Sequence, residues 1–567
     1  MNFNYKKPAG NNFCRWDILP LFFLLLCCGL CIWRIPYGIC GPDEALYLSI
    51  PYRLLQGDRL LMHEWQLSQL SSLLLLPLMR IHLLSGSSEG MVLSFRCFFV
   101  FFHALSCFFI YSKAKKLSRL GACLAAAQLM VFAPINIANF SYYIMGIDLL
   151  AIMFVSLAVP VEGRLPAFGC GFLFGCAVLC NPFYFVLFPL YSLAVLCLRR
   201  RLSYPCIKGE FWCFFTLGGA VIAGILFTKL FWNADFSILA ETLRLVLYTD
   251  AEHPSLSLYG LLYETFSSFR KSRFFLHTIV GAVLLSAIFF LDKKKAGHRH
   301  FYYAGAALLS MIFTQGFYLE GNNAISVYMF PVSIAGFLIW LFSENRHNRV
   351  FYCIYLPGML CWFCSTAASN LGYYTLSSVS AITMIASMIM IGREFEACIH
   401  GKTVQRSVAA LMLLAVLLPF CAIAACRAFT VFPALPIADC TEIIQQGSQR
   451  GLIVSPVEKA RYELIFEQTN SIREEGSGPV AYFSDINTMY LDDSKRCAVF
   501  SAWFPINYLS ENLPRLEEYW ALFPDRIPET VFISSGDEQS DRILEEFFLK
   551  KGYSMQKVSD DILIMRR

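Results

Sequence analysis

Charge is what this chain has least of. Asp, Glu, Lys and Arg make up only 15% of its 567 residues, where a soluble domain carries about 25%. That excludes an ordinary water-soluble globular protein. Gly-rich phosphate fingerprints and the Walker pattern are missing, as is any long-period repeat. Nucleotide chemistry on a P-loop or dinucleotide fold is therefore excluded, and so is a solenoid. No basic stretch interleaved with aromatics is present, which excludes a nucleic-acid partner. The net charge of +5 sits mostly in short loops and reads as membrane topology. A small-residue cleavage site is lacking after the first apolar run, LPLFFLLLCCGLCIW (19–33), which follows Lys6, Lys7 and Arg15. The run reads as a retained signal anchor.

Hydrophobicity is what the chain has. Apolar residues reach 57%, Phe alone occurs 52 times, and the mean hydropathy is +0.54. Span-length apolar segments fall near 17–36, 90–112, 119–137, 147–162, 167–181, 182–198, 211–231, 274–291, 301–319, 324–342, 350–369, 374–392 and 407–430. The fold class expected is mainly α: a polytopic bundle of about 13 spans by window length. Most of the 22 cysteines lie inside these runs, where Cys acts as a small hydrophobe. CWFC (361–364) is among them.

Positive charge marks the cytoplasmic side. The clusters are Lys6/Lys7/Arg15, Lys113/Lys115/Lys116/Arg119, Arg199/Arg200/Arg201, Lys293/Lys294/Lys295, Arg346/Arg349 and Lys402/Arg406. All share one side if segment 67–84, which carries Pro77, Arg80 and His82, re-enters or lies in the interface. The N-terminus is then cytoplasmic. The first loop 37–89, the loops 138–147 and 232–273, and everything after about 430 face outside. Two domains are expected: the bundle, 1–430, and an extracytoplasmic α/β domain, 431–567. In the latter, GLIVSPVEKARYELIFEQTNSI reads as strand, turn and helix, GPVAYFSDI as a strand and PRLEEYWALF as a helix. TVFISS reads as a strand, DRILEEFFLKKG as a helix and DILIMRR as a final strand.

Few residues could do chemistry in such a chain. GPDEALY (41–47) places Asp43 and Glu44 just after the first span. A general base at the external interface would meet a lipid-borne substrate there. The competing reading is a helix start, with Asp43 as N-cap, Glu44 favoured by the dipole, and Pro51 interrupting the helix. Asp148, in SYYIMGIDLLAIMF, is a carboxylate within an apolar span and a functional candidate for that reason; a helix cap is its alternative. DAEHP brings Asp250, Glu252 and His253 together. With Asp43 they could hold a phosphate or a divalent metal ion, though the spacing is loose and a solvated turn competes. The external cations are Arg53, Arg59, His63, Arg80, Arg244, Arg270 and Lys271. Arg80 and His82 stand out inside an apolar segment, with snorkelling as the alternative. Asn322, Asn323 and Asn370 mark turns, NFS (139–141) is a sequon, and Cys440 and Cys497 are the cysteines of the tail.

An apolar span, then Asp43-Glu44 followed by Tyr47, then the Leu54, Gly57, Asp58 turn resembles the GT-C class of membrane glycosyltransferases. The branch it resembles is that of the protein O-mannosyltransferases and the bacterial aminoarabinose transferase. The resemblance covers the spans and first loop well and the tail loosely. It implies that Asp43 and Glu44 are catalytic and that Asp148 lines the cavity. The substrate and lipid-phosphate binders expected are Tyr47, Arg53, His63, Glu64, Gln69, Arg80 and His253. It further implies a polyprenyl-phosphate-linked hexose or pentose donor, membrane lipids as surroundings, and an envelope glycan, lipid or protein acceptor. Asp43 would deprotonate the acceptor hydroxyl, and a single displacement would invert the anomeric centre. Two departures stand: Leu46 occupies the position of the branch's Arg, and HEWQLSQLSS (63–72) replaces its Glu-Lys-Pro-Pro run. A transporter or lipid flippase, and a non-catalytic membrane protein with an external binding domain, are the other readings.

Overall fold

The computed structural model describes residues 17–132, 136–159, 163–193, 209–232, 235–248, 329–343, 347–367, 374–399, 403–432, 435–475, 477–504, 506–559 and 562–567, with isolated positions between 263 and 305. Asp250, Glu252, His253, Asn322, Asn323, Asn370 and most of the expected spans 274–291 and 301–319 lie outside the described residues.

Among the described residues the chain is mainly helical up to residue 429. The helices are α1 (Ile18–Arg34), α2 (Pro42–Leu55), α3 (Ser72–Leu83), α4 (Met91–Ala114), α5 (Arg119–Val131), α6 (Tyr142–Ala158) and α7 (Arg164–Cys180), then α8 (Gly209–Phe231), α9 (Phe236–Tyr248), α10 (Met329–Phe342), α11 (Leu356–Ala367), α12 (Tyr374–Cys398) and α13 (Thr403–Phe429). Three of the described helices are long and apolar enough to cross a membrane: Met91–Ala114, Glu210–Phe231 and Gln405–Phe429. Shorter apolar helices accompany them. The expected pair 167–198 divides where Asn181 and Pro182 end α7, with the Asn181 side chain accepting from Phe183 N–H at 3.1 Å. Segment 67–84 is a 3-10 turn, Leu67–Ser71, followed by the 12 residues of α3, too few for the roughly 20 of a crossing.

Small residues let the helices close on one another. At the α5–α12 crossing, a Cβ on Gly121 would sit 2.5 Å from the Met388 carbonyl oxygen, and one on Gly392 would sit 2.3 Å from Gly121 N. Only backbone against backbone fits there.

After α13 the composition turns polar and an α/β region follows. It contains the hairpin β1 (Thr430–Val431) with β2 (Leu435–Pro436), the pair β3 (Glu442–Ile443) and β4 (Ile453–Val454), α14 (Pro456–Glu475), β5 (Val480–Ser484), α15 (Met489–Asp492), α16 (Leu509–Leu522), β6 (Thr530–Ser534), α17 (Glu538–Lys550), β7 (Ser554–Ser559) and β8 (Ile562–Arg566). The main sheet has the order β5-β6-β8-β7, with β5 and β6 parallel and the other neighbours antiparallel. Each strand and helix expected from the tail sequence is present. The additions are β1, β2, β3, α15 and β7, the last a largely exposed edge strand, SMQKVS, whose polar sequence carries no alternation to betray it.

Candidate active site at the start of α2

The motif GPDEALY forms the first turns of α2. Pro42 takes the first helical position, where its missing N–H is no loss, so the cap falls to Gly41. Asp43 is thus not the N-cap: Gly41 O accepts from Ala45 N–H at 2.9 Å, and both carboxylates lie in the first turn. Pro51 does not interrupt the helix, which continues to Leu55. It only leaves the Tyr47 carbonyl without an amide donor one turn on.

The two adjacent carboxylates have opposite surroundings. Glu44 is 2% exposed. Arg96 of α4 grips it with two bonds, Nε to Oε1 and Nη2 to Oε2, both 2.7 Å. Asn139 Nδ2 adds a third at 2.8 Å. Arg96 Nη1 also donates to the carbonyls of Ile35, Tyr37 and Gly38, and Nη2 to that of Ile39. One guanidinium therefore ties the whole turn between α1 and α2 to α4. Asn139 is fully buried in this arrangement, so the sequon amide is committed to Glu44.

Asp43 is half-buried and accepts no hydrogen bond or ion pair from any described side chain. Burial alone pushes its carboxyl above the ordinary value. Its charge is felt by the Tyr47 and Tyr142 hydroxyls. Tyr47 meets Tyr142 edge to face at 5.7 Å, and Tyr142 lies 4.1 Å from Tyr143. All three rings are half-buried. The site is an unpaired carboxylate beside an aromatic wall.

Asp148 stands apart from this group. The cap of α6 is Ser141, which accepts from Ile144 N–H at 3.1 Å, so Asp148 sits inside the helix and is 0% exposed. His103 Nδ1 lies 2.7 Å from Asp148 Oδ2, and His103 Nε2 lies 2.7 Å from the Leu129 carbonyl oxygen. A carbonyl only accepts, so Nε2 carries a proton and the Nδ1–Asp148 contact holds one more.

Arg53, His63 and Glu64 form a separate network. Arg53 binds Asp58 at 2.7 Å and Glu64 at 2.8 Å, and Arg526 of the tail binds Asp58 at 2.8 Å. His63 Nδ1 accepts from Arg59 N–H and Arg526 Nη2. A nitrogen that accepts twice carries no proton, and burial, with Arg526 adding to it, lowers His63 to about 4. The 3.7 Å approach to Asp58 is therefore no ion pair at neutral pH. Trp65 stacks on Phe500 at 5.1 Å, and Ala502 N–H donates to Glu64 Oε2 at 3.2 Å. These residues clasp the first loop to the tail. Gln69 is buried within the loop, its Oε1 accepting from Leu61 N–H and its Nε2 donating to the carbonyls of Glu64 and Gln66. Arg80 is exposed on α3 and His82 is half-buried.

Among the described residues no three His, Cys, Asp or Glu side chains stand together as a metal site. Of the residues suggested for a metal, Asp43 alone is described, and its neighbour Glu44 is committed to Arg96. Cys361, Cys364, Cys440 and Cys497 are free thiols. Arg96, Asn139, Tyr142, His103 and Arg526 were missed in the sequence. A lone Arg and a lone His within the apolar run MVLSFRCFFVFFHALSCFFIYSKA were signal enough for two of them.

No family profile and no curated protein matches the chain. Solved structures similar to it in shape include two of one archaeal enzyme. One is the archaeal oligosaccharyltransferase AglB from Archaeoglobus fulgidus in complex with an inhibitory peptide and a dolichol-phosphate. It is 11% identical, with a TM-score of 0.49, over 96% of this chain and 74% of that one. The other is the apo form of the Archaeoglobus fulgidus oligosaccharyltransferase, 10% identical with a TM-score of 0.48 over 92% and 72%.

Proposed function

We propose that the chain is a GT-C-type membrane glycosyltransferase. It moves a sugar from a polyprenyl-phosphate carrier to an extracytoplasmic acceptor, with inversion. The observation that carries this reading is the division of labour between Asp43 and Glu44. Glu44 is saturated by Arg96 and Asn139 and serves as a positioning residue. Asp43, held in the next position by that clamp, keeps both oxygens free and its proton affinity raised. That is what a general base requires.

In the reaction, Asp43 takes the proton from an acceptor hydroxyl. The hydroxyl oxygen bonds to the anomeric carbon, the carbon–oxygen bond to the lipid phosphate breaks, and the phosphate departs with the electron pair. Tyr47 and Tyr142 offer ring faces and edges against which a sugar can pack. Under this reading α2 and the tail are extracytoplasmic and the N-terminus is cytoplasmic.

The test is Asp43→Asn beside wild type in nanodiscs, with a panel of radiolabelled polyprenyl-phosphate sugars. Release of sugar to water or to envelope acceptors by wild type, lost in the variant at equal folded yield, supports the reading. Equal turnover in both removes Asp43 as base. A folded wild type that turns over no donor favours the transporter or non-catalytic readings.

A further inference from the structure

Beside β4, whose Ile453 carbonyl accepts from Gly38 N–H at 2.8 Å, the tail reaches the candidate site through the turn Gly447–Gly451. Its carbonyls complete the N-terminus of α4: Gly90 N–H donates to Gly447 O at 3.0 Å, and Val92 N–H to Ser448 O at 3.1 Å. The Gln449 side chain reaches the other way. Its Oε1 accepts from Cys40 N–H at 3.1 Å, one residue before the cap of α2, and its Nε2 donates to Thr488 Oγ1 at 3.1 Å. Since α4 carries Arg96 and α2 carries Asp43 and Glu44, this turn holds both halves of the clamp.

Asp492 holds the turn. Oδ1 accepts from Ser448 N–H at 2.5 Å, and Oδ2 accepts from Ser448 Oγ at 3.0 Å and Tyr462 hydroxyl at 3.2 Å. We infer that Asp492 is a positioning residue of the candidate site: through Ser448 and Gln449 it sets the placement of the α2 and α4 N-termini, and its protonation sets how firmly they are held. The inference concerns the holding of the loop and stands whatever reaction Asp43 performs.

The carboxyl is buried without a cation bonded to it among the described residues. Arg473 of α14 donates to the Asp492 backbone oxygen at 3.3 Å, not to the side chain. The other titratable groups facing it are Asp493, the residue just past its helix, Tyr462 of α14, Tyr482 of β5, Tyr52 of α2 and Cys40. Asp493 is itself occupied by the Tyr482 hydroxyl at 2.7 Å. Burial pushes Asp492 up to about 7 from an ordinary 3.8. When the turn opens, water restores the ordinary value. The closed turn therefore binds the proton more tightly. Its extra stability is complete below about pH 4 and is lost as pH rises through about 7, beyond which it is level.

The test is amide hydrogen exchange on the full chain in nanodiscs from pH 5 to 8.5, with rates corrected for intrinsic exchange. In wild type, protection at residues 38–46 and 90–96 should fall by up to about tenfold per pH unit to about pH 7, then level off. In Asp492→Asn, which is always neutral, it should be flat. In Tyr462→Phe, which removes one donor to the charged form, the break should move to higher pH. Coinciding wild-type and Asp492→Asn profiles overturn the inference, as does a decline spread evenly over β5 and β6. Should Asp492→Asn not fold, an unmoved break in Tyr462→Phe overturns it alone.

Discussion

Arg96 Nε and Nη2 each lie 2.7 Å from an oxygen of Glu44, joining two residues 52 positions apart in the chain. Both are buried, so neither charge has water to fall back on. Glu44→Gln leaves Arg96 without its counter-charge and should cost about 3–5 kcal/mol. Adding Arg96→Gln removes the orphaned charge, and the double variant should recover part of that loss. Thermal unfolding of the two single variants and the double gives the coupling directly. Additive losses would show that the two side chains do not act as a pair.

Asp43 should behave in the opposite way. Burial raises its carboxyl from 3.8, so it contributes stability below that value and loses it as pH rises through the raised one. At pH 7.5 the ionised, unpaired group is a cost. Asp43→Asn should therefore keep or raise the thermal midpoint at that pH while lowering turnover by about 10²- to 10⁴-fold. The acid limb of the wild-type rate profile should lie above pH 3.8. A marked fall in the midpoint would give Asp43 a structural role instead.

Much of this was legible in the chain. Apolar runs marked the helices, and alternating patterns marked the tail elements, because periodicity reports burial locally. The Asp-Glu pair drew attention by its place after the first span. What the sequence could not divide was the work between them. Glu44 is silenced by Arg96 and Asn139, 52 and 95 residues away, and only the folded chain brings those partners in. The same holds for His63 and Glu64. Read alone they suit a substrate loop; in the fold Arg526, 463 residues after His63, bonds His63, and Ala502 N–H bonds Glu64. Asp148, expected to line the cavity, is paired with His103, 45 residues earlier in the chain, a partner that only the folded chain brings in.

The clasp gives a titration of opposite sign to that of Asp492. His63 falls to about 4 in the fold from an ordinary 6.5, through burial and then the adjoining Arg526. A lowered histidine contributes stability that is present above 6.5 and is lost as pH falls toward 4. Protonation would also set a cation against Arg526 and Arg53. Amide protection at Trp65 and Ala502, which bond to Phe500 O and Glu64 Oε2, should fall by up to about tenfold per unit from pH 6.5 to 5. In His63→Asn this dependence should vanish. Persistence in the variant would show that His63 is not the group that titrates.

The turn before α2 depends on space as well as charge. A Cβ on Gly41 would lie 2.7 Å from Phe432 Cε1, just after the β1 strand. The contact is with a side chain, not backbone, so the clash can be relieved from the other side. Gly41→Ala should cost about 1–3 kcal/mol, the usual price of overpacking, and should impair turnover because Asp43 lies two residues on. Phe432→Leu removes the offending ring edge. Combined with Gly41→Ala it should recover most of the stability, although Phe432→Leu alone should be mildly destabilising. Thermal midpoints of the four proteins decide this. If the double variant is no better than Gly41→Ala alone, the glycine is needed for its backbone and not for room beside Phe432.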